Sequence, residues 1–263
     1  MENASLPPVV EEDSGTLYAR SMRLYLASTS PARLALLRQI GIEPIVVPSS
    51  VDEEAAVRAK EETSGTLSGP SLVQLLARLK AEAVVDALPD GAPIDGFILG
   101  GDSAFEFDRV IYGKPHLPAV ARERWLRQRG RAGVLHSGHW LIDHRLGAGS
   151  SPAGSGALAE AGAEASAGAG AGAGVGAGAV TSATVEFAAD ITEAEIDAYI
   201  ATGEPLEVAG AFTVDGLAAP FIRSVSGAPS TVIGMSLPTI RDLLNGFGVS
   251  LTEFWTPTTP VHL

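Results

Sequence analysis

The stretch from Leu24 to Gly41 constrains the rest of this chain most. Leu24-Tyr25-Leu26-Ala27 is an apolar run that ends in Ser28-Thr29-Ser30, Pro31 can take the first helical position behind a Ser30 cap, and apolar residues recur until Gly41 supplies a stop. The pattern predicts a strand, a polar turn and a helix. Such a turn gathers hydroxyls, free backbone N–H groups and the positive end of a helix dipole around one point, with Arg33 one turn in, and so forms an anion cradle. Ser-capped turns also occur for purely structural reasons, and this one lacks the glycines and the Lys-Ser/Thr pair of a Walker loop.

Composition narrows the partners. A chain of 263 residues with 46% hydrophobic residues can bury a large core, in one large or two small domains. With no cysteine, disulfides and thiolate chemistry are excluded, which fits a reducing cytoplasm. The 18 Lys and Arg against 31 Asp and Glu give a formal charge of −13, a field that repels polymeric nucleic acid. A small phosphate ligand remains compatible, since a few clustered cations with a metal outweigh a distant net charge. Residues 1–21 lack the basic start and apolar core of a signal peptide and read as a mobile tail, and residues 251–263 read as a second tail. No apolar run reaches the ~18 residues that would cross a membrane.

Along the chain, Ile42 to Val47 reads as a short strand that leaves through an acidic loop, Ser49 to Glu54, whose carboxylates could hold a divalent cation. A polar segment, Glu61 to Pro70, then precedes a helix with an apolar stripe of Leu72, Leu75, Leu76, Leu79 and Ala83. Lys80 lies beside that stripe, where a lysine ordinarily snorkels. Phe97 to Leu99 reads as a short central strand delivering Asp102 at its end, behind Gly100 and Gly101, which permit close approach of backbone or ligand. Alpha/beta sheets place catalytic carboxylates at such ends. A hairpin follows, Ala104–Phe107 with Val110–Tyr112, and Gly113-Lys114-Pro115 lets the Lys114 ammonium project from an extended loop.

Pro118 to Arg129 reads as a helix with Ala121 and Trp125 on one face, and Val134 to Asp143 as a strand carrying His136 and His139. Residues three apart on a strand point to opposite faces, which argues against one zinc ion binding both. The Gly/Ala tract from Gly147 to Val180 has no apolar periodicity, and reads as a flexible insertion between strands. Thr184 to Ala188 resumes a strand. Thr192 and Glu195 form a capping box for a helix running to Gly203, with Ile191 and Ile196 as a staple. Glu204 to Gly216 is a long glycine-punctuated loop with three carboxylates, of a length that points to function. Pro220–Val225 as a strand and Ser236–Phe247 as a helix burying Ile240, Leu243, Leu244 and Phe247 close the domain.

In order and spacing, several of these pieces resemble the Maf family of septum-formation-associated nucleotide pyrophosphatases, over roughly Arg23 to Val249. The matching residues are Ser28 to Arg33, Val51-Asp52-Glu53, Lys80-Ala81, Gly101-Asp102-Ser103, Gly113-Lys114-Pro115, and Gly203-Glu204-Pro205-Leu206 leading into Ala209-Gly210-Ala211-Phe212. The resemblance implies an α/β fold, a mixed twisted sheet flanked by helices and divided into two lobes around a central cleft, spanning residues 22–250 with the insertion at 147–180. It also implies hydrolysis of a nucleoside triphosphate between its α and β phosphates, with Mg²⁺ or Mn²⁺, in nucleotide-pool control or sanitation in the cytoplasm, by a homodimer. The alternative is a non-catalytic nucleotide-binding regulator of cell division.

Family roles carried onto this sequence make Asp102 the catalytic carboxylate, activating water or holding the metal with Glu53, while Ser28, Arg33, Lys80 and Lys114 bind the triphosphate. Attack on a phosphoanhydride needs a positioned water and cations to absorb the charge spreading over phosphate oxygens, and these residue types supply both needs. Pyrimidine-preferring members carry a second arginine, a threonine and a glutamine where this chain has Ala32, Ser103 and Asp215. These three departures alter base-side hydrogen bonding, so a different or relaxed base selectivity is expected.

Overall fold

The computed structural model describes residues 22–146, 164–167 and 174–255. Among these, the strands form one mixed sheet. They are β1 (Leu24–Leu26), β2 (Ile45–Val46), β3 (Gly96–Phe107), β4 (Val110–Tyr112), β5 (Ala132–His144), β6 (Glu164–Ala167), β7 (Val175–Phe187) and β8 (Ile222–Ser226). The spatial order is β2-β1-β3-β5-β7-β6, with β4 on β3 and β8 on β7. Only the β2–β1–β3 pairings are parallel; the others are antiparallel. Helices are α1 (Pro31–Gln39), α2 (Glu53–Ser64), α3 (Gly69–Glu82), α4 (Pro118–Gln128), α5 (Glu193–Ala201), α6 (Pro229–Ile233) and α7 (Leu237–Gly246).

The long strands β3, β5 and β7 serve two separate cores along one face, while Ile98, Trp140 and Ile142 of β3 and β5 join a third. Phe97, Leu99, Leu141, Ala177 and Ala179 pack with α1 and α7 at one end, whereas Phe105, Phe107, Leu135, Val185 and Phe187 pack with α4 and α5 at the other. Between them the strands turn small and polar, where Asp102, Gly138 and Val180 lie in register beside Ser103, Ser137 and Thr181. Asp102 therefore sits mid-strand, not at a strand end: Phe97–Leu99 and Ala104–Phe107 belong to one continuous strand. The polar waist is where the cores part.

Helix α3 lies on this sheet closer than ordinary side chains allow. A Cβ at Gly100 would meet the Ala77 carbonyl at 2.1 Å, one at Gly138 the Val73 carbonyl at 2.3 Å, and one at Gly178 the Gln74 amide at 2.1 Å. The buried face of α3 is consequently Val73, Leu76, Ala77, Lys80 and Ala81, rotated from the predicted leucine stripe; Leu72, Leu75 and Leu79 lie on its flanks and Ala83 is exposed. The sheet carries glycines under α3 because side chains there would hold the helix away.

Two further expectations are corrected. The Gly/Ala insertion predicted for 147–180 contains β6 and the first half of β7, with residues 147–163 and 168–173 outside the described set. Its period-two pattern is a strand written in small residues: Gly176 and Gly178 lie against the Trp140 ring, while Ala177 and Ala179 enter the core on the opposite face. Gly178→Val is expected to cost about 1–3 kcal/mol by overpacking Trp140 and Gln74, read as a shifted urea midpoint; a flexible insertion would show no shift. The predicted tail at 251–263 begins inside the core, where Phe254 packs against Phe97 and the Trp255 indole donates to the Ile40 carbonyl at 2.7 Å. Residues 256–263 and the predicted tail at 1–21 are outside the described residues.

Several predicted elements hold. Ser30 caps α1, whose Pro31 is the first helical residue; α5 carries the Thr192–Glu195 capping box; and α7 buries Ile240, Leu243 and Leu244.

Candidate active site

The turn after β1 delivers Ser28 and Arg33 to the waist of the sheet. The Ser28 hydroxyl oxygen accepts from the Ser30 backbone N–H at 3.2 Å and from Arg33 Nη1 at 3.1 Å. Arg33 Nε donates to the Gly234 carbonyl at 3.0 Å and Nη2 to Ser103 Oγ at 3.2 Å. The guanidinium is thereby fixed in a plane by three separate segments. A Cβ at Gly101 would stand 3.3 Å from Arg33 Nε, so the glycine before Asp102 makes room for this arginine.

Helix α3 brings Lys80 over β3, and its ammonium bridges Asp102 Oδ1 at 2.7 Å and Glu53 Oε1 at 2.8 Å. Asp102, Lys80 and Arg33 are each only 9% exposed. Burial pushes the Asp102 carboxyl above the usual carboxylate range, and the charges of Lys80 and Arg33 pull it back. Burial likewise lowers Arg33, against the charges of Asp102 and Glu53, but a guanidinium stays protonated at neutral pH. The formal charges of Arg33, Lys80, Asp102 and Glu53 cancel.

Glu53 is not in a loop. Asp52 caps α2 through Oδ1 and the Ala55 N–H at 3.0 Å, which makes Glu53 the first helical residue and aims it at Lys80. Periodicity missed α2 because the helix buries no residue and so has no apolar stripe. Its legible signal was the cap, an Asp followed by acidic residues in the first turn.

Lys114 stands outside this cluster: it is half-exposed and its nearest acidic partner is Glu207, at 3.8 Å. Asp215 is exposed on the late loop, Ala32 is partly buried on α1, and Ser103 is occupied with Arg33, Ser137 and the Gly234 carbonyl. The late loop is organised by Glu204, whose carboxylate accepts from Tyr199 Oη at 2.9 Å, from the Leu217 N–H at 3.0 Å and from the Thr213 hydroxyl. Burial alone would raise Glu204, but the Thr213, Leu217, Tyr199 and Ala218 donors bring it below its ordinary value. His136 and His139 have different partners: His136 meets Ser182 and Glu106, whereas His139 lies between the Ala179 carbonyl and the Ser236 N–H.

A family profile described as Maf-like protein matches residues 23–247. The chain belongs to the Maf family. It is 61% identical over 234 residues to a nucleoside triphosphate pyrophosphatase of Leifsonia xyli subsp. xyli, covering 89% of this chain and 97% of that protein. It is 44% identical to a protein of the same name from Salinispora tropica, covering 92% and 91% of the two chains. A third of that name, from Saccharopolyspora erythraea, is 43% identical over 90% of this chain and 98% of its own. The residues of this Maf chain fit a divalent cation by their donor chemistry: Asp102 and Glu53 present two hard carboxylate oxygens to one point, now filled by the Lys80 ammonium. Mg²⁺ is commonly held by one or two carboxylates plus waters and substrate phosphates. Among the described residues no helix is long and apolar enough to cross a membrane.

Proposed function

We propose that this Maf chain is a metal-dependent nucleoside triphosphate pyrophosphatase, acting in nucleotide-pool control or sanitation. One observation carries the reading: Arg33, Lys80 and Asp102, buried at the waist of the sheet, and the half-exposed Glu53 on Lys80 form a group of two cations and two carboxylates whose formal charges cancel. Asp102 and Glu53 would hold a divalent cation, and with those carboxylates so engaged Lys80 would be free to turn toward phosphate oxygens. When bound, the metal supplies charge neutralisation and orientation of the phosphates.

In this reading a water oxygen attacks the α-phosphorus, the bond to the bridging oxygen of the β-phosphate breaks, and pyrophosphate leaves. Asp102 takes the proton from the water, a role suited to a carboxyl raised by burial. Arg33, Ser28 and the first turn of α1 hold non-bridging oxygens. Lys114 exchanges Glu207 for a phosphate.

Ser103 acts on the Arg33 side of the site, since its hydroxyl is already shared with that guanidinium. Asp215 is the exposed departure, and at the base a carboxylate that only accepts hydrogen bonds would favour edges that donate.

Product analysis on canonical and modified nucleoside triphosphates with Mg²⁺ or Mn²⁺ tests the proposal. Monophosphate plus pyrophosphate is expected. Orthophosphate would indicate another phosphate hydrolase, and nucleotide binding without turnover would indicate the regulator of cell division.

A further inference from the structure

Besides Ser28, Arg33 is oriented by residues that touch no phosphate in the reading above. The connection from α6 into α7 forms an elbow, Thr231 to Ser236, whose middle presents the Gly234 carbonyl to Arg33 Nε at 3.0 Å. Two neighbouring same-face residues of β5 grip this elbow at its ends. Ser137 Oγ donates to the Thr231 carbonyl at 2.9 Å, and His139 Nε2 accepts the Ser236 N–H at 2.8 Å. Both side chains are fully buried. Gly234 has φ +132, a conformation that a side chain would strain, so the carbonyl direction depends on the elbow keeping its shape.

The proton count makes the arrangement directional. Each serine hydroxyl carries one proton. Ser137 uses its own on Thr231, so it faces Ser103 Oγ, 3.1 Å away, as an acceptor. Ser103 then donates to Ser137 or to Gly234, and its oxygen stays open to accept from Arg33 Nη2.

We propose that Ser137 and His139 are positioning residues for Arg33, acting through the Thr231–Ser236 elbow and the Ser103 hydroxyl, so that two β5 residues set the affinity for the polyphosphate. The inference rests on Arg33 binding phosphate. A structural role alone would lower stability without selecting for phosphate affinity.

The test is calorimetric titration of the full chain with Mg²⁺-pyrophosphate and with an α,β-methylene nucleoside triphosphate, beside steady-state kinetics. Ser137→Ala is expected to weaken binding and raise KM about 10-fold with a smaller change in kcat, and Ser137→Thr, which keeps the hydroxyl, to restore most of it. Arg33→Lys keeps the charge but loses the fork, and should weaken binding by itself. Adding Ser137→Ala to Arg33→Lys should then cost nothing further, because the group being positioned has gone. If Ser137→Ala does not fold, His139→Gln against His139→Leu asks the same question, since glutamine retains an acceptor for Ser236.

Full additivity of Ser137→Ala and Arg33→Lys, or unchanged binding in Ser137→Ala where Arg33→Lys binds weakly, overturns the inference while leaving the role of Arg33 intact. Unchanged binding in Arg33→Lys overturns both, starting with the phosphate reading.

Discussion

Asp102→Asn is expected to reduce turnover by about 10²–10⁴-fold while the protein stays folded and still binds nucleotide. The amide keeps the shape of the side chain but can neither take a proton from water nor share a metal as an anion. Folding should survive because Lys80, which loses its 2.7 Å partner, keeps Glu53 at 2.8 Å. The measurement is pyrophosphate release under saturating substrate, with binding followed separately. The pH dependence adds a second arm. Activity that needs ionised Asp102 falls on the acid side as that carboxyl takes up a proton. Unchanged turnover in Asp102→Asn would remove Asp102 from the chemistry.

The second large effect is acid destabilisation through His139. Burial holds this imidazole neutral and lowers its pKa from 6.5 to about 4; the Ala179 carbonyl raises it and the Arg33 charge lowers it further. A neutral ring donates from Nδ1 to Ala179 at 3.2 Å and accepts from the Ser236 N–H at Nε2. Protonation of Nε2 destroys the second bond and places a cation beside Arg33.

The folded-state pKa is below the unfolded one, so the unfolded chain binds the extra proton. Stability from this residue is fully present above about pH 6.5 and is lost as pH falls toward 4, a difference of about 3 kcal/mol. Asp102 has the opposite sign, because its raised pKa favours the folded state as pH falls. Comparing urea unfolding of the parent and His139→Gln at pH 7.5 and 4.5 therefore isolates the histidine. Equal losses in the two proteins would refute the assignment.

Local patterns made much of this protein legible. The Ser30 cap with Pro31, the Thr192–Glu195 box and the apolar stripe of α7 each depend on residues within a few positions of one another, and each formed as its pattern predicts. Ser28, Arg33, Glu53, Lys80 and Asp102 were also named from the sequence, and four segments deliver them to the waist of the sheet. What was misread had no apolar periodicity. Helix α2 buries no residue and lacks a stripe, and the start of β7 is written in glycine and alanine, whose value lies in what they leave room for.

The sequence by itself determined the turn, the caps and the identity of the charged groups, because those follow from backbone chemistry and short-range periodicity. Only the tertiary structure decided their partners. That Lys80 bridges two carboxylates depends on three glycines, from β3, β5 and β7, letting α3 rest on the sheet. That Arg33 is held by Gly234 depends on a contact spanning 201 residues of chain. Such contacts are set by how closely layers pack, a property of facing surfaces that no single segment carries.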